Sequence, residues 1–392
     1  MVEAVIVDAV RTPMARAKDT GALHEMHPVD LLATTFTALI DRTGIDPGLV
    51  DDVLIGCVSQ AGEQGSTPGR QAWLAAGLPV HVPSTTIERK CGSSQQAVDF
   101  ATQGILSGAY EVAIAGGIEM MSRVPMGSAL MGRDPRGPQV ARRFPIQPPQ
   151  GVSAELVAQH WNLSRTALDE YAARSHTLAE DARTSGLFDS EIVPVRVGDR
   201  LVDRDETIRA GTTPERLAEL APAFAREPWL ATYPEMDWKV TAGNSSQLTD
   251  GAASLLIMSD AKAAELGLRA RARILVSSVV ADDPVMMLAA PIPATRKVLH
   301  RHGMSLRDID AFEVNEAFAS VPLAWAKELD VPLDRVNPRG GAIALGHPLG
   351  ASGARLLTSL LSHLEHTGGR FGLQTMCEAG GMANGTIIER LN

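Results

Sequence analysis

The chain has 392 residues, 45% of them hydrophobic and 21% charged, which is a globular composition with room for two or three domains. A formal net charge of −10 and the lack of any basic run exclude a general nucleic-acid binder. No apolar stretch approaches the roughly 18 to 20 residues of a membrane helix, and MVEAVIVDAVRTP carries Glu3 and Asp8 where a secretory signal has a basic start and a long apolar core.

Taken in chain order, a β-rich run AVIVDAV (4–10) leads into a helical segment, DLLATTFTALIDRTG, then a turn and the strand VDDVLIGCV. Cys91 opens a second helical segment, GSSQQAVDFATQGILSG, and the strand VAIAGG (112–117) follows. Residues 118 to about 240 break the pattern. They begin rich in Met, Arg and Pro, then turn helical in SAELVAQHWNLSRTALDEYAARSHTLAEDART, as an insertion folding over one face does. The run 241–260 returns to strand character and completes the first half.

The order then repeats. ARILVSSVV (272–280), PATRKVLHRHG and DIDAFEVNEAF follow one another, and alignment on Gly44 and Gly303 gives an offset of 259. His347, inside GGAIALGHPLGASG, precedes a helix with Leu356, Leu357, Leu360, Leu361 and Leu364 on one face, and is taken as the counterpart of Cys91. GLQTMCEAGG (372–381) closes the second copy. Strands alternating with helices imply parallel α/β sheets in two duplicated halves. The expected division is 1–117 with 241–268 as the first half, 118–240 as an inserted loop domain, and 269–392 as the second half.

Three cysteines, Cys57, Cys91 and Cys377, lie too far apart for a disulfide framework or a zinc spacing, and a reducing cytoplasm leaves them as free thiols. Cys91 follows Lys90 at a helix start, where unpaired N–H groups and a cation favour thiolate. A small buried hydrophobe is the other reading of any such cysteine. Cys377 ends a strand before Gly-Gly, and Cys57 reads as core packing. Asn315 ends a strand, where an amide either orients a ligand or closes a turn. His347 among glycines suits a loop that approaches something closely, or a simple turn.

RTP near the start, CGSSQQA, TAGNSSQLTDGAA, NEAFA, GGAIALGHPLGASG and Cys377 before Gly-Gly, in that order, resemble the thiolase family over essentially the whole chain. The resemblance implies an α/β thiolase fold of two βαβαβαββ-type halves with a loop domain inserted in the first. It implies an acetyl-CoA C-acyltransferase that cleaves a 3-ketoacyl-CoA with coenzyme A by a ping-pong route. Cys91 is then the acylated nucleophile, His347 its base, and Cys377 the acid/base at the acetyl-CoA methyl carbon. Asn315, through a water, and His347 form one oxyanion site; the N–H groups of Cys91 and Ala379 form the other. Arg209 matches a position that meets the nucleotide part of coenzyme A and Ser246 one at the pantetheine. Met287 and Phe318 match positions lining the acyl pocket.

By the same resemblance no metal or bound cofactor is needed, coenzyme A being a co-substrate, and a homodimer or homotetramer is expected. Nucleophile and preorganised oxyanion donors suit the chemistry, because two negative charges develop in succession. Many thiolases have glycine at Ala379 and Ser-Gly-Leu after the nucleophile region, where this chain has Ser93, Ser94, Gln95 and Gln96. The biosynthetic acetoacetyl-CoA enzymes have His-Met before Gly151, where this chain has Pro149 and Gln150. A degradative enzyme for a longer, branched or cyclic acyl group is therefore expected, in fatty-acid or sterol-like catabolism, with Gln95, Pro149 and Met287 deciding the substrate. The alternatives are biosynthetic condensation of acetyl-CoA and a non-catalytic acyl-CoA-binding protein, the latter expected to lack Cys91, His347 or Cys377.

Overall fold

A computed structural model describes residues 2–391. Its strands are β1 (Ala4–Arg11), β2 (Ala15–Arg16), β3 (Asp52–Gly56), β4 (Ser84–Ile87), β5 (Val112–Met120), β6 (Val195–Val197), β7 (Arg200–Val202), β8 (Thr249–Ser259), β9 (Ala272–Ala281), β10 (Ala311–Val314), β11 (Phe371–Glu378) and β12 (Met382–Arg390). All but the small β6–β7 ribbon join one sheet, in the order β10-β11-β12-β9-β1-β8-β5-β3-β4, with β2 beside β8. The run β1-β8-β5-β3 is repeated as β9-β12-β11-β10. The two runs meet only where Val5 and Ile6 pair Arg273 and Ala272.

The 259-residue repeat is kept to the residue. Asp52 pairs Ala113 and Ala311 pairs Gly372, so the inner strands share one register. Helices Pro28–Thr43 and Pro291–His302 both stop at a left-handed glycine, Gly44 and Gly303. Helices Ser93–Leu106 and Ser352–Thr367 start 259 residues apart. This alters one sequence expectation: the residue equivalent to Cys91 is Gly350, and His347 lies three positions earlier, in the loop before its helix.

The two central helices pack on each other between the halves. Ala97, Val98, Ala101 and Ile105 of one meet Ala354, Leu357, Leu360, Leu361 and Leu364 of the other in a single apolar cluster that also takes in Ile6, Leu255 and Ile388. Leu360, Leu361 and Leu364 are wholly buried, and each such leucine contributes about 2 kcal/mol. Small residues let the helix starts cross closely. A Cβ on Gly353 would stand 2.3 Å from the Gln95 N, and the Ala354 N–H donates to Ser94 Oγ at 2.9 Å.

The sheet is mixed, where alternation alone suggests parallel strands. β3 runs parallel to β4 and β5, and β10 to β11. β8 and β12, however, run antiparallel to both their neighbours. For β12 the cause is the three-residue link Ala379–Gly381, far too short for a crossover. Between β5 and β8 lie helices Gln150–His160 and Arg165–Thr184, the β6–β7 ribbon and long loops.

Candidate active site

Cys91 stands in the turn from β4 into helix Ser93–Leu106, and Lys90 before it takes a left-handed φ of 48°. Gly92 caps the helix. The thiol is buried, and burial, the neighbouring Cys377 and Glu378 all push it well above the ordinary thiol range. The expected help from Lys90 is absent, because its ammonium is turned to Glu88 at 3.1 Å near the surface. Resting Cys91 is therefore a thiol, not the ready thiolate that the helix start and Lys90 suggest.

His347 lines the same cleft as Cys91. His347 is buried, and burial together with the Arg355 guanidinium pushes its value down to about 3, so the imidazole is neutral at working pH. Its Nδ1 lies 2.6 Å from Ser352 Oγ, and that hydroxyl donates its own proton to the Pro348 carbonyl at 2.8 Å. Ser352 must accept, so Nδ1 carries the hydrogen and Nε2 is left with its lone pair. Nε2 in turn lies 3.4 Å from Asn315 Nδ2. The loop is held by its own backbone: the His347 N–H donates to Gln247 O at 3.2 Å and to Thr249 Oγ1 at 3.0 Å.

Asn315 directly follows β10 and also bears on Cys377, where its amide favours the thiolate against burial and Glu378, which together push that thiol up to about 12. The neighbouring Glu316 ties the layout down. Its carboxylate accepts from Tyr171 Oη at 2.9 Å, Ser175 Oγ at 2.7 Å, Asn337 Nδ2 at 2.9 Å and the Ile343 N–H at 3.0 Å. Ala379 opens the turn between β11 and β12. It lies outside the left-handed region, so its Cβ is tolerated there, whereas Gly380 and Gly381 have φ of 90° and 83°. Cys57 is packed in the core of the first half, its thiol pushed up by burial.

A cleft of about 350 Å3 opens onto Cys91 and His347. Phe318 and Ser246 line it, with Pro149, Gln150 and Gly151 on the inserted segment. Met287 is buried in the apolar cluster that holds Cys377 and Phe318, behind the cleft wall. Arg209 is outside the cleft, but its guanidinium donates to Gln247 Oε1 at 3.1 Å, and Gln247 is a lining residue. Gln95 does not face the cleft: it is buried between the halves, donating to Thr386 Oγ1 at 2.9 Å, because Gly353 packs directly on it.

Sequence reasoning missed Ser352, Phe224 and Arg226. Ser352 was legible only as part of a glycine-rich loop. Phe224 packs on Gly151, where any Cβ would stand 2.1 Å from its ring, and meets Phe318 edge-on with ring centres 6.0 Å apart. Arg226 lines the cleft from an exposed loop position. Among the described residues no cluster of His, Cys, Asp or Glu is arranged to hold a metal ion, and no helix is long and apolar enough to cross a membrane.

The chain that carries these two free cysteines, the neutral imidazole and the asparagine matches known families along nearly its whole length. The family Thiolase, N-terminal domain matches residues 4–261, and Thiolase, C-terminal domain matches residues 268–390. The chain belongs to the thiolase family. It is 46% identical to the steroid 3-ketoacyl-CoA thiolase FadA6 of Mycobacterium tuberculosis, over all of this chain and 95% of that one. It is 43% identical to a 3-ketoacyl-CoA thiolase of Photobacterium profundum, over 99% of each. Among solved structures, the Bacillus anthracis acetyl-CoA acetyltransferase superposes with a TM-score of 0.89 at 39% identity, covering 100% of this chain and 99% of that one. The protein is thus an enzyme of thiolase type with the thiolase fold.

Proposed function

We propose that this thiolase cleaves a 3-ketoacyl-CoA with coenzyme A, releasing acetyl-CoA and an acyl-CoA two carbons shorter. The neutral His347, with its Nε2 lone pair fixed by Ser352, is the observation that carries this reading. His347 takes the Cys91 proton, and the Cys91 sulfur attacks the 3-keto carbon. The oxyanion meets Asn315, through a water, and His347. As the C2–C3 bond breaks, Cys377 delivers its proton to the acetyl-CoA carbon, and the thioester oxygen is met by the Cys91 and Ala379 N–H groups. Coenzyme A then returns a proton to Cys377, and its sulfur takes the acyl group from Cys91. Each set of preorganised donors contributes about 3 to 4 kcal/mol.

Ser246 and Phe318 at the cleft wall, and Arg209 beside Gln247, suit contacts with pantetheine, acyl group and nucleotide respectively, and Met287 backs the acyl pocket. Coenzyme A is a co-substrate, and no bound cofactor is invoked. An apolar wall of Met121, Phe224, Leu248, Phe318 and Leu349 favours a bulky acyl group over acetoacetyl. Segments 1–117 with 241–268, 118–240 and 269–392 are read as first half, loop domain and second half, working in the cytoplasm. A homodimer or homotetramer is read from the free edge of β4 and from Met126, Leu130 and Met131 exposed on the inserted segment.

A thiolysis panel comparing acetoacetyl-CoA with medium-chain, long-chain and ring-bearing 3-ketoacyl-CoAs tests the substrate. Higher kcat/KM on the bulkier substrates is expected; equal or higher activity on acetoacetyl-CoA transfers the assignment to biosynthetic condensation of acetyl-CoA. Cys91→Ser is expected to lose the acyl-enzyme burst, and a full burst in that variant overturns the mechanism.

A further inference from the structure

We propose that Glu378 is a positioning residue for the reaction: through its charge it governs how readily Cys91 and Cys377 give up their protons. The residue follows Cys377 on β11 and is wholly buried. Its carboxyl lies against the backbone just after Cys91: a Cβ on Gly92 would stand 1.9 Å from Glu378 Oε1. The charge of this one carboxyl bears on both thiols. Among the described residues neither of its oxygens has a hydrogen-bond partner.

Its neighbours indicate the resting state. Asn384 on β12 donates its amide hydrogens to Asp99 Oδ2 at 2.9 Å and Gln96 Oε1 at 3.3 Å. That leaves Asn384 Oδ1, also without a partner, facing the same point above Gly92 at 3.2 Å. Two acceptors turned on one spot are reconciled when the carboxyl is protonated and can donate. Burial supports this by pushing Glu378 up to about 8. The Arg89 guanidinium, from the turn before Cys91, pulls the other way, while Asp99 on the central helix and Glu88 in the turn add to the upward push.

The sign follows. Below about pH 8 Glu378 is neutral and both thiols feel an uncharged neighbour. Above it the carboxylate places a negative charge beside them, and either thiolate becomes harder to form. His347, neutral throughout this range, adds no competing change. Glu378 thus holds back thiolate formation further at the alkaline end, on top of the burial that already raises both thiols.

The proposal rests on Cys91 being the nucleophile, but its test needs no substrate, so it fails separately from the thiolysis reading. The rate of Cys91 alkylation by iodoacetamide is followed from pH 6.5 to 10.5. In the wild-type enzyme the logarithm of the rate is expected to rise in proportion to pH, to lag around pH 8 as Glu378 ionises, and then to rise in proportion to pH again, displaced to higher pH. In Glu378→Gln the lag disappears and the upper part of the curve shifts to lower pH by about one unit, so that alkylation there is faster, while Glu378→Asp keeps the wild-type shape. A wild-type curve described by a single ionisation, or a Glu378→Gln curve that superimposes on it, overturns the proposal. The wild-type curve decides the matter even if the glutamine variant folds poorly.

Discussion

Glu119 and Glu378 lie 259 residues apart at equivalent places on β5 and β11, and both are wholly buried. Glu119 is saturated: it accepts from the Val58, Ser59 and Gly350 N–H groups and from Gln64 Nε2, at 2.9 to 3.0 Å. Glu378 accepts from nothing among the described residues. The positions that would supply its donors by the repeat have taken other work. Gly350 corresponds to Cys91, and Val58 and Ser59 correspond to Ala317 and Phe318, which line the cleft. A duplicated fold offers each feature twice. Here one copy uses the carboxylate to tie the His347 loop to the opposite half, and the other leaves it loose beside the thiols.

The largest expected effect comes from a close backbone approach in that tie. A Cβ on Gly350 would meet the Ile118 carbonyl at 2.5 Å, the Cys57 Cα at 2.8 Å and the Gly56 carbonyl at 2.8 Å, all of them backbone. Gly350→Ala is therefore expected to lose more than about 3 kcal/mol of stability, seen as a lowered urea midpoint, with His347 displaced. A midpoint unchanged from wild type would show that the two halves can part at no cost, and the comparison would lose its basis. Next comes Glu119→Gln. It puts an amide NH2 among four donors and is expected to cost about 3 kcal/mol, whereas Glu378→Gln removes no hydrogen bond and is expected to leave the midpoint within about 0.5 kcal/mol. Equal losses at the two sites would break the distinction between tie and charge.

The repeat was legible in the sequence because strand, helix and turn signals recur at one offset, and the capping glycines Gly44 and Gly303 mark it. Cys91, His347, Cys377 and Asn315 were legible because motifs surround them, and the fold brings all four together. The rest depends on what packs from a distance. Gln95 follows Cys91 closely in sequence, yet the helix turns it toward Thr386 of the other half. Lys90 sits next to Cys91, yet alternation along the turn carries its charge to Glu88. Phe224 comes from an irregular loop with no periodicity, and only its seat on Gly151 makes it a wall of the cleft. Counting back from the helix makes His347 and Cys91 partners, but the register makes Gly350 the equivalent residue, and the three-residue difference is what lets the imidazole reach across.

Ser93 and Ser352 give the smallest and most discriminating contrast. Both begin a central helix, 259 residues apart. Ser93 Oγ closes its own turn, donating to Lys90 O at 2.6 Å and accepting from the Arg89 N–H at 2.9 Å. Ser352 Oγ also donates into its own turn, one residue further back, to Pro348 O, but it accepts from the His347 ring in place of the backbone. Ser93→Ala is expected to cost about 1 kcal/mol of stability. Ser352→Ala frees the imidazole to hold its proton on either nitrogen and to swing from the thiol. Thiolysis kcat is then expected to fall about tenfold with KM little changed. With His347 near 3 in the wild type, neither variant is expected to bring an acid limb into the range from pH 5 to 7, because the ring is unprotonated there with or without the serine. If Ser352→Ala lowers the urea midpoint as Ser93→Ala does and leaves kcat at the wild-type value, the second serine is only a helix-start residue, and the His347 tautomer is set by something else.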